Sequence, residues 1–544
     1  MIDLIKQLIE KAVGTDASFS VQVSADKMHG DYATNVALAL AKKIGKNPRE
    51  VAQDIAAKIG KKNFLEKIEI AGPGFINFYL SKDYFIDQLK SIDKHFGSSD
   101  HAKRFKVIVE YTDPNPFKLF HVGHLMNNAI GESISRIMEM HGVNLKRANY
   151  QGDVGMHVAK ALYGKLKNPS YSWQDAYVFG SKEYDEHEQA KAEMALLNKQ
   201  IFEKSNKKVN ALYAQGRKES LAAFEKMYKK LGTKFDYYFF ESEVADFGKK
   251  IVLEGLKKGI FEKGEKGAIV FKGEKVALHT RVFINSEGLP TYEAKELGLA
   301  NVKYKKFKYD HSVIVTANEI NEYFKVLLAA MEQVFPDLAK KTKHIGHGIL
   351  RLPEGKMSSR TGKVVTAESL IEKVKAIVTQ KAADKKLDEK TIEMIAIGAI
   401  KYSILKQSIG GDIIFDLEKS VSFDGDSGPY LQYAYVRAVS VLAKAKAEKV
   451  KASFKKPPGE IGQLEKMMVR FPEVIEKAGQ GYEPHLIVTY LTELAREFNA
   501  YYAHHKIVDK ADEFSPYKVA ITEAFSIIMK NGLWLLGIQA PEKM

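Results

Sequence analysis

The sequence predicts a multidomain α/β protein in which a split parallel-sheet domain lies between a small α/β N-terminal domain and an all-α C-terminal bundle. Three observations carry that prediction. The chain has 544 residues, enough for three or four domains at about 150 residues each. Short β-rich runs alternate with helical patterns across its middle, the signature of parallel strands joined by crossovers. Beyond about residue 370 the pattern is almost wholly helical, broken at KASFKKPPGE, so a helical bundle is the simplest account.

In chain order, residues 1–95 read as helix, loop, helix and strand. Asn47 and Pro48 mark a helix start, and AGPGFINFYL is a Gly/Pro turn entering an alternating aromatic strand. The parallel-sheet domain spans 104–370. VIVEY at 107–111 is its first strand, and a Pro-broken loop leads from it into a helix at about 123–142. A Lys/Glu-rich, mostly helical stretch at about 164–275 reads as an insertion. Strand signals resume at ALHTRVFI, SVIVTA and HGILRL, with AAMEQVF in a helix between the last two. Residues 371–424 form a helical junction and 425–544 the terminal helical domain.

Composition narrows the function. The chain has no cysteine, which excludes disulfides, thiolate-ligated zinc, iron–sulfur clusters and a cysteine nucleophile. A net charge of +15 suits a polyanion such as nucleic acid, although surplus lysine also serves solubility. The N-terminus alternates apolar and charged residues, unlike a signal peptide, and no run approaches the ~18 apolar residues of a membrane span. A cytoplasmic protein with no membrane partner is expected.

His121, Val122, Gly123 and His124 fall where the loop after VIVEY enters a helix, so helix N–H groups and the dipole meet any anion at a strand's C-terminal end. The two histidines can donate hydrogen bonds to a triphosphate, and Gly123 leaves room for an adenine ring to approach the backbone. A chain of this composition contains H-x-G-H by chance about 0.03 times. A second such string, His344–Ile345–Gly346–His347, runs into the strand-like GILRL with no helix for an anion to cap, and reads as structural. Nine residues past His347, Lys356, Met357, Ser358, Ser359 and Arg360 begin a basic loop with Gly362 and Lys363, suited to leaving pyrophosphate.

HVGH early and KMSSR late in a split nucleotide-binding domain resemble the two signatures of class I aminoacyl-tRNA synthetases. EYTDPNPFKLFHVGH, RANYQGDVG, LPTYEAKELG, HGILRLPEGKMSSRTG, DSGPYLQYAYVRA and LLGIQAPEKM each resemble arginyl-tRNA synthetase segments, in order. HGDYATNVALALAK and AGPGFINF resemble that family's N-terminal domain. The resemblance implies a Rossmann-like catalytic domain and ATP-dependent transfer of L-arginine to tRNA(Arg), with tRNA bound before activation. Mg2+ would accompany ATP, with no zinc, no resident metal site and no editing domain, and the protein would be a monomer. It implies His121, His124, Lys118 and Lys356 as catalytic groups. Gly123, Met357 and Ser358 join the histidines at ATP, and Lys118 replaces the charge absent at Ser359. Glu110 and Asn115 would hold the arginine backbone, with Tyr292 and Glu296 at the guanidinium, one helical turn apart. Phe75 and Asn77 match the D-loop domain, and Tyr433, Tyr502 and Met544 the anticodon domain. The pocket departs from the family pattern at Glu296, where aspartate is commoner, and at Ile320, where glutamine is. Two other readings share the motifs: a small-molecule adenylyltransferase and a non-catalytic RNA-binding relative.

Overall fold

A computed structural model describes residues 1–14, 18–24, 29–100, 102–351 and 365–544. The chain divides into two units. One comprises Met1–Ser98, Ala434–Lys477 and Tyr490–Gly532; the other comprises Ser99–Tyr433, Ala478–Thr489 and Leu533–Met544.

In the first unit, β1 (Val21–Val23), β2 (Tyr32–Thr34), β3 (Leu65–Ala71) and β4 (Phe75–Leu80) form an antiparallel sheet in the order β1-β2-β4-β3. The sequence reading caught β4 but missed the other three strands. Two of those have only three residues, too few for an alternating pattern to register. The Pro48–Ile59 helix begins as expected, with Asn47 Oδ1 accepting from Arg49 N at 2.9 Å. Its apolar stripe, Val51, Ile55 and Ile59, packs with Ile76 and Phe78 of β4 in one core. In the helical part of this unit, Phe498 and Phe525 stack 3.8 Å apart.

The second unit is built on a five-stranded parallel sheet. Its strands are β5 (Lys106–Glu110), β6 (Asn144–Gln151) and β7 (Tyr237–Phe240), then, after β8 (Glu262–Lys263), β9 (Ile269–Phe271) and β10 (Arg281–Ile284), the strands β11 (His311–Ala317) and β12 (Thr342–His347). The order is β12-β11-β5-β6-β7. Val107, Ile108 and Val109 of β5 are buried, as a strand covered on both faces requires. The chain runs outward from β5 to β6 and β7, then returns to its other side at β11. The crevice beyond the C-terminal end of β5 is therefore the topological switch point, where ligands bind in open α/β sheets.

Two expectations are corrected here. ALHTRVFI does not join the parallel sheet, because β10 pairs antiparallel with β9 in a separate β10-β9-β8 sheet. The stretch at 164–275 is also not wholly an insertion, since β7 is the edge strand of the parallel sheet, in register with β6 from Ala148↔Tyr237 to Gln151↔Phe240. Helical neighbours masked the short aromatic strand's membership. Leu350–Arg351 is only a two-residue strand beside Ile413–Ile414, whereas the second H-x-G-H string is itself the end of β12. No helix among the described residues is long and apolar enough to cross a membrane.

Candidate active site

The loop leaving β5 carries three non-glycine residues with left-handed backbone: Thr112 (φ 81°), Asp113 (φ 42°) and Phe117 (φ 71°). Each costs about 1–3 kcal/mol unless its surroundings hold it. Thr112 N donates to Asn127 Oδ1 (3.0 Å), Asp113 Oδ1 accepts from Tyr150 N (2.7 Å), and Phe117 N donates to Ser220 Oγ (2.9 Å). Held this way, the loop delivers His121 as the N-cap of the Val122–Met140 helix.

His121 and His124 form a reciprocal cap. His121 Nδ1 accepts from Gly123 N at 3.1 Å and His124 Nδ1 accepts from His121 N at 3.2 Å, with the rings stacked 3.6 Å apart. Burial and the nearby Lys118 ammonium push His121 down to about 4. Burial, His121 and Lys118 hold His124 well below the usual histidine range. Both imidazoles are therefore neutral near pH 7, and because each Nδ1 is an acceptor, each Nε2 carries the proton. The helix start thus offers two imidazole donors fixed in tautomer by the backbone. Gly123 has a different role from the one expected: a Cβ there would lie 2.9 Å from the His121 ring, so the space it leaves is filled by that imidazole. Lys118 Nζ lies 4.8 Å from the centroid of the Tyr177 ring.

Lys356, Met357 and Ser358 lie outside the described residues. The chain that follows them is bonded to the histidine turn: Val122 N donates to Val365 O (3.3 Å), Ala367 N donates to Phe120 O (2.9 Å), and His121 and Thr366 form an antiparallel bridge.

On the Tyr292–Lys306 helix, Tyr292 and Glu296 share one face, as their spacing predicts. Neighbouring charges on the helix are already engaged. Glu293 pairs with Arg281 (3.2 Å), Lys295 with Glu241 (2.5 Å) and Lys303 with Glu110 (2.7 Å). Glu296, half-buried among them, makes no ion pair among the described residues. Burial, Glu110 and other carboxylates push it up to about 8 against the opposing effect of Lys303. Asp113 is likewise held well above the carboxylate range, by burial first and Glu110 second. This is a pocket with an excess of carboxylates, and a ligand cation would relieve their repulsion.

Glu110 is 2% exposed and bound by Lys303, a partner the sequence reading did not supply. Asn115 Oδ1 accepts from Gly152 N at 3.1 Å. The ring of Tyr292 already has a cation over it, Lys295 Nζ at 4.8 Å, where only substrate was expected. Ile320 is exposed in a short 3-10 turn. Sequence reasoning also missed buried Asp153, whose Oδ2 accepts from Arg217 Nε (2.8 Å) and Ser242 Oγ (2.7 Å). The signal for Lys303 was present: it lies three and four residues after buried Ala300 and Leu299, a charge on an apolar face. Lys295 and Glu241 had no such signal, since their proximity depends on helix packing.

Among the residues expected to meet tRNA, Phe75 is 41% exposed at the start of β4, whereas Asn77 is 3% exposed within the sheet. Both belong to the first unit, as does Tyr502, which lies under Arg437 with the guanidinium carbon 5.0 Å from its ring centroid. Tyr433, with Lys385 Nζ 5.0 Å from its ring centroid, and Met544 belong to the second.

A parallel sheet with a histidine-capped helix at its switch point, followed much later by a basic loop tied back to that cap, defines a class I aminoacyl-tRNA synthetase. Residues 86–417 match the tRNA synthetases class I (R) catalytic domain, residues 431–544 the DALR anticodon binding domain and residues 1–80 the arginyl tRNA synthetase N terminal domain. The chain is 31% identical to the arginine–tRNA ligase of Clostridium acetobutylicum over 99% of both chains, and 32% identical to that of Borreliella burgdorferi over 92% of this chain and 91% of that one. It shares its fold with Thermus thermophilus arginyl-tRNA synthetase, with a TM-score of 0.82 at 23% identity over all of both chains. The chain belongs to the arginyl-tRNA synthetase family. It is a ligase whose substrates are arginine, ATP and tRNA.

Proposed function

We propose that arginine is activated in the crevice beyond β5 and passed from its adenylate to the 3′ end of tRNA(Arg). The arginine carboxylate attacks the α-phosphate of ATP in line and pyrophosphate leaves, a reaction that needs positioning and charge stabilisation rather than a covalent enzyme intermediate. The Nε2–H groups of His121 and His124 donate to the phosphates beside Gly123. Lys118 adds positive charge, and Lys356, Met357 and Ser358 attend the departing pyrophosphate. Mg2+ enters as the partner of ATP. Glu110 and Asn115 serve the α-amino and carboxylate end of arginine, while Tyr292 and Glu296 take the guanidinium.

The observation that carries the arginine site is Glu296, a half-buried carboxylate without an ion pair among neighbours that have them. A guanidinium supplies the missing charge in bidentate geometry. For tRNA, we assign Phe75, with Asn77 behind it, to the D-loop in a domain spanning 1–95. Tyr433, Tyr502 and Met544 are assigned to the anticodon in a domain spanning 425–544, beyond the catalytic domain at 104–370 and the junction at 371–424. A monomeric, cytoplasmic protein completes the proposal.

The test is charging of total tRNA with each labelled amino acid, by this protein and by Glu296→Gln. Arginine alone is expected to be charged, with its KM raised in the variant. An unchanged arginine KM would remove Glu296 from the pocket.

A further inference from the structure

The Glu241–Lys257 and Tyr292–Lys306 helices cross at glycines. A Cβ on Gly248 would lie 2.0 Å from Ala294 O, and one on Gly298 would lie 2.6 Å from Val244 O and 2.9 Å from Gly248 N. No side chain fits there, so the two backbones touch. That contact brings the first residue of one helix, Glu241, against Lys295 in the first turn of the other, with side-chain exposures of 4% and 6% and an Nζ–Oε2 distance of 2.5 Å. A buried ion pair is a poor source of stability, because desolvation offsets most of the attraction and an apolar pair of similar volume does as well or better. Its presence at the mouth of the arginine pocket calls for another role. Lys295 Nζ stands 4.8 Å from the ring centroid of Tyr292, which is itself 55% exposed and otherwise free to swing between rotamers.

We propose that the Glu241–Lys295 pair is a positioning device that holds the Tyr292 ring in the orientation the arginine guanidinium requires. Glu241 fixes Lys295, and the Lys295 ammonium occupies one face of the ring and leaves the other for substrate. Because Glu241 neutralises Lys295, the second cation can approach without meeting an unbalanced charge. This rests on the assignment of Tyr292 and Glu296 to the guanidinium.

The test is charging kinetics of the full-length enzyme carrying Glu241→Gln with Lys295→Met, which removes both charges and leaves neither buried alone. These changes are measured with and without Tyr292→Ala. The arginine KM is expected to rise about tenfold with kcat within about twofold and the ATP KM unchanged; once Tyr292 is alanine, the pair substitution adds less than about twofold. Lys295→Arg, which keeps a cation over the ring, is expected to return the arginine KM to near its original value. If the neutral pair does not fold, Lys295→Gln still donates to Glu241 while presenting no charge, and carries the same expected rise. An unchanged arginine KM, or equal effects with and without Tyr292, overturns the positioning role. Should Tyr292→Ala and Glu296→Gln both leave the arginine KM unaltered, the pocket assignment itself is what fails.

Discussion

The two H-x-G-H strings have identical composition and opposite fates. In the first, both Nδ1 atoms accept from backbone N–H groups at a helix start, leaving two Nε2–H donors over the switch point. In the second, the histidines are the third and sixth residues of β12. His344 Nε2 is 2.6 Å from Thr316 Oγ1 and its ring stacks on Phe324 at 3.9 Å, while His347 Nδ1 donates to Gly348 O at 2.6 Å and its Nε2 is buried without a hydrogen-bond partner among the described residues. A motif acquires chemistry from which of its atoms the backbone consumes and which it leaves over, not from its letters.

The largest expected effect is His124→Ala, which removes a preorganised donor and should lower kcat/KM for charging by about 100-fold or more. His347→Ala should change kcat/KM by less than about threefold while lowering the melting temperature. Comparable losses of activity in both would erase the distinction between the strings.

The same contrast between occupied and unoccupied groups separates Glu296 from Glu293 one turn of chain away. Glu296→Gln should raise the arginine KM by about 30-fold, the scale of losing one partner of a desolvated charge pair. With its folded value near 8 against 4.5 when exposed, Glu296 is largely protonated below pH 8 in the free enzyme and must ionise to meet a guanidinium. Arginine KM should therefore fall as pH rises from about 6 to about 8 and level off above, by up to about tenfold per unit at the acid end. By the same linkage, this residue's contribution to folding stability declines between pH 4.5 and 8. The histidines, pushed to about 4 or below, contribute nothing to that slope. Steady-state kinetics across pH should show the dependence in the parent and a flat profile in the glutamine variant.

A smaller effect separates capping from catalysis within the first string. His121→Asn keeps an N-cap acceptor but loses the Nε2–H, so kcat should fall about tenfold with the melting temperature preserved. His121→Ala should show a similar kinetic loss together with about 1 kcal/mol of lost stability. Smallest are the central glycines. Gly123→Ala crowds the His121 ring and should cost about threefold to fivefold in kcat with little change in stability. Gly346→Ala places a Cβ 2.0 Å from Asn321 Oδ1, and is expected to cost about 1 kcal/mol of stability with kcat unchanged. Thermal melts and charging assays run side by side distinguish the four variants.

Much of the site was legible because its signals are local. A strand, a loop and a capped helix follow one another over 106–124, and the Tyr292/Glu296 spacing depends only on the helical repeat. The strand character of the second string was also readable from its neighbours. What escaped depends on contacts between distant segments. β7 lay hidden among helical patterns because a four-residue strand has no periodicity of its own. Gly123 was assigned to adenine because the rotamer of His121, which fills that space, is not a sequence property.

By itself, the amino-acid sequence determined the order of elements, the location of the histidine cap and the basic loop, and the chemical types available to bind arginine, ATP and RNA. Only tertiary structure decided which charges are paired. Lys303 with Glu110 and Lys295 with Glu241 join residues 193 and 54 positions apart, and it is their pairing that leaves Glu296 without an ion partner. The physical reason is that periodicity and capping act over a few residues, whereas desolvation and charge pairing depend on distance in space, which exists only once the sheet and its covering helices have packed.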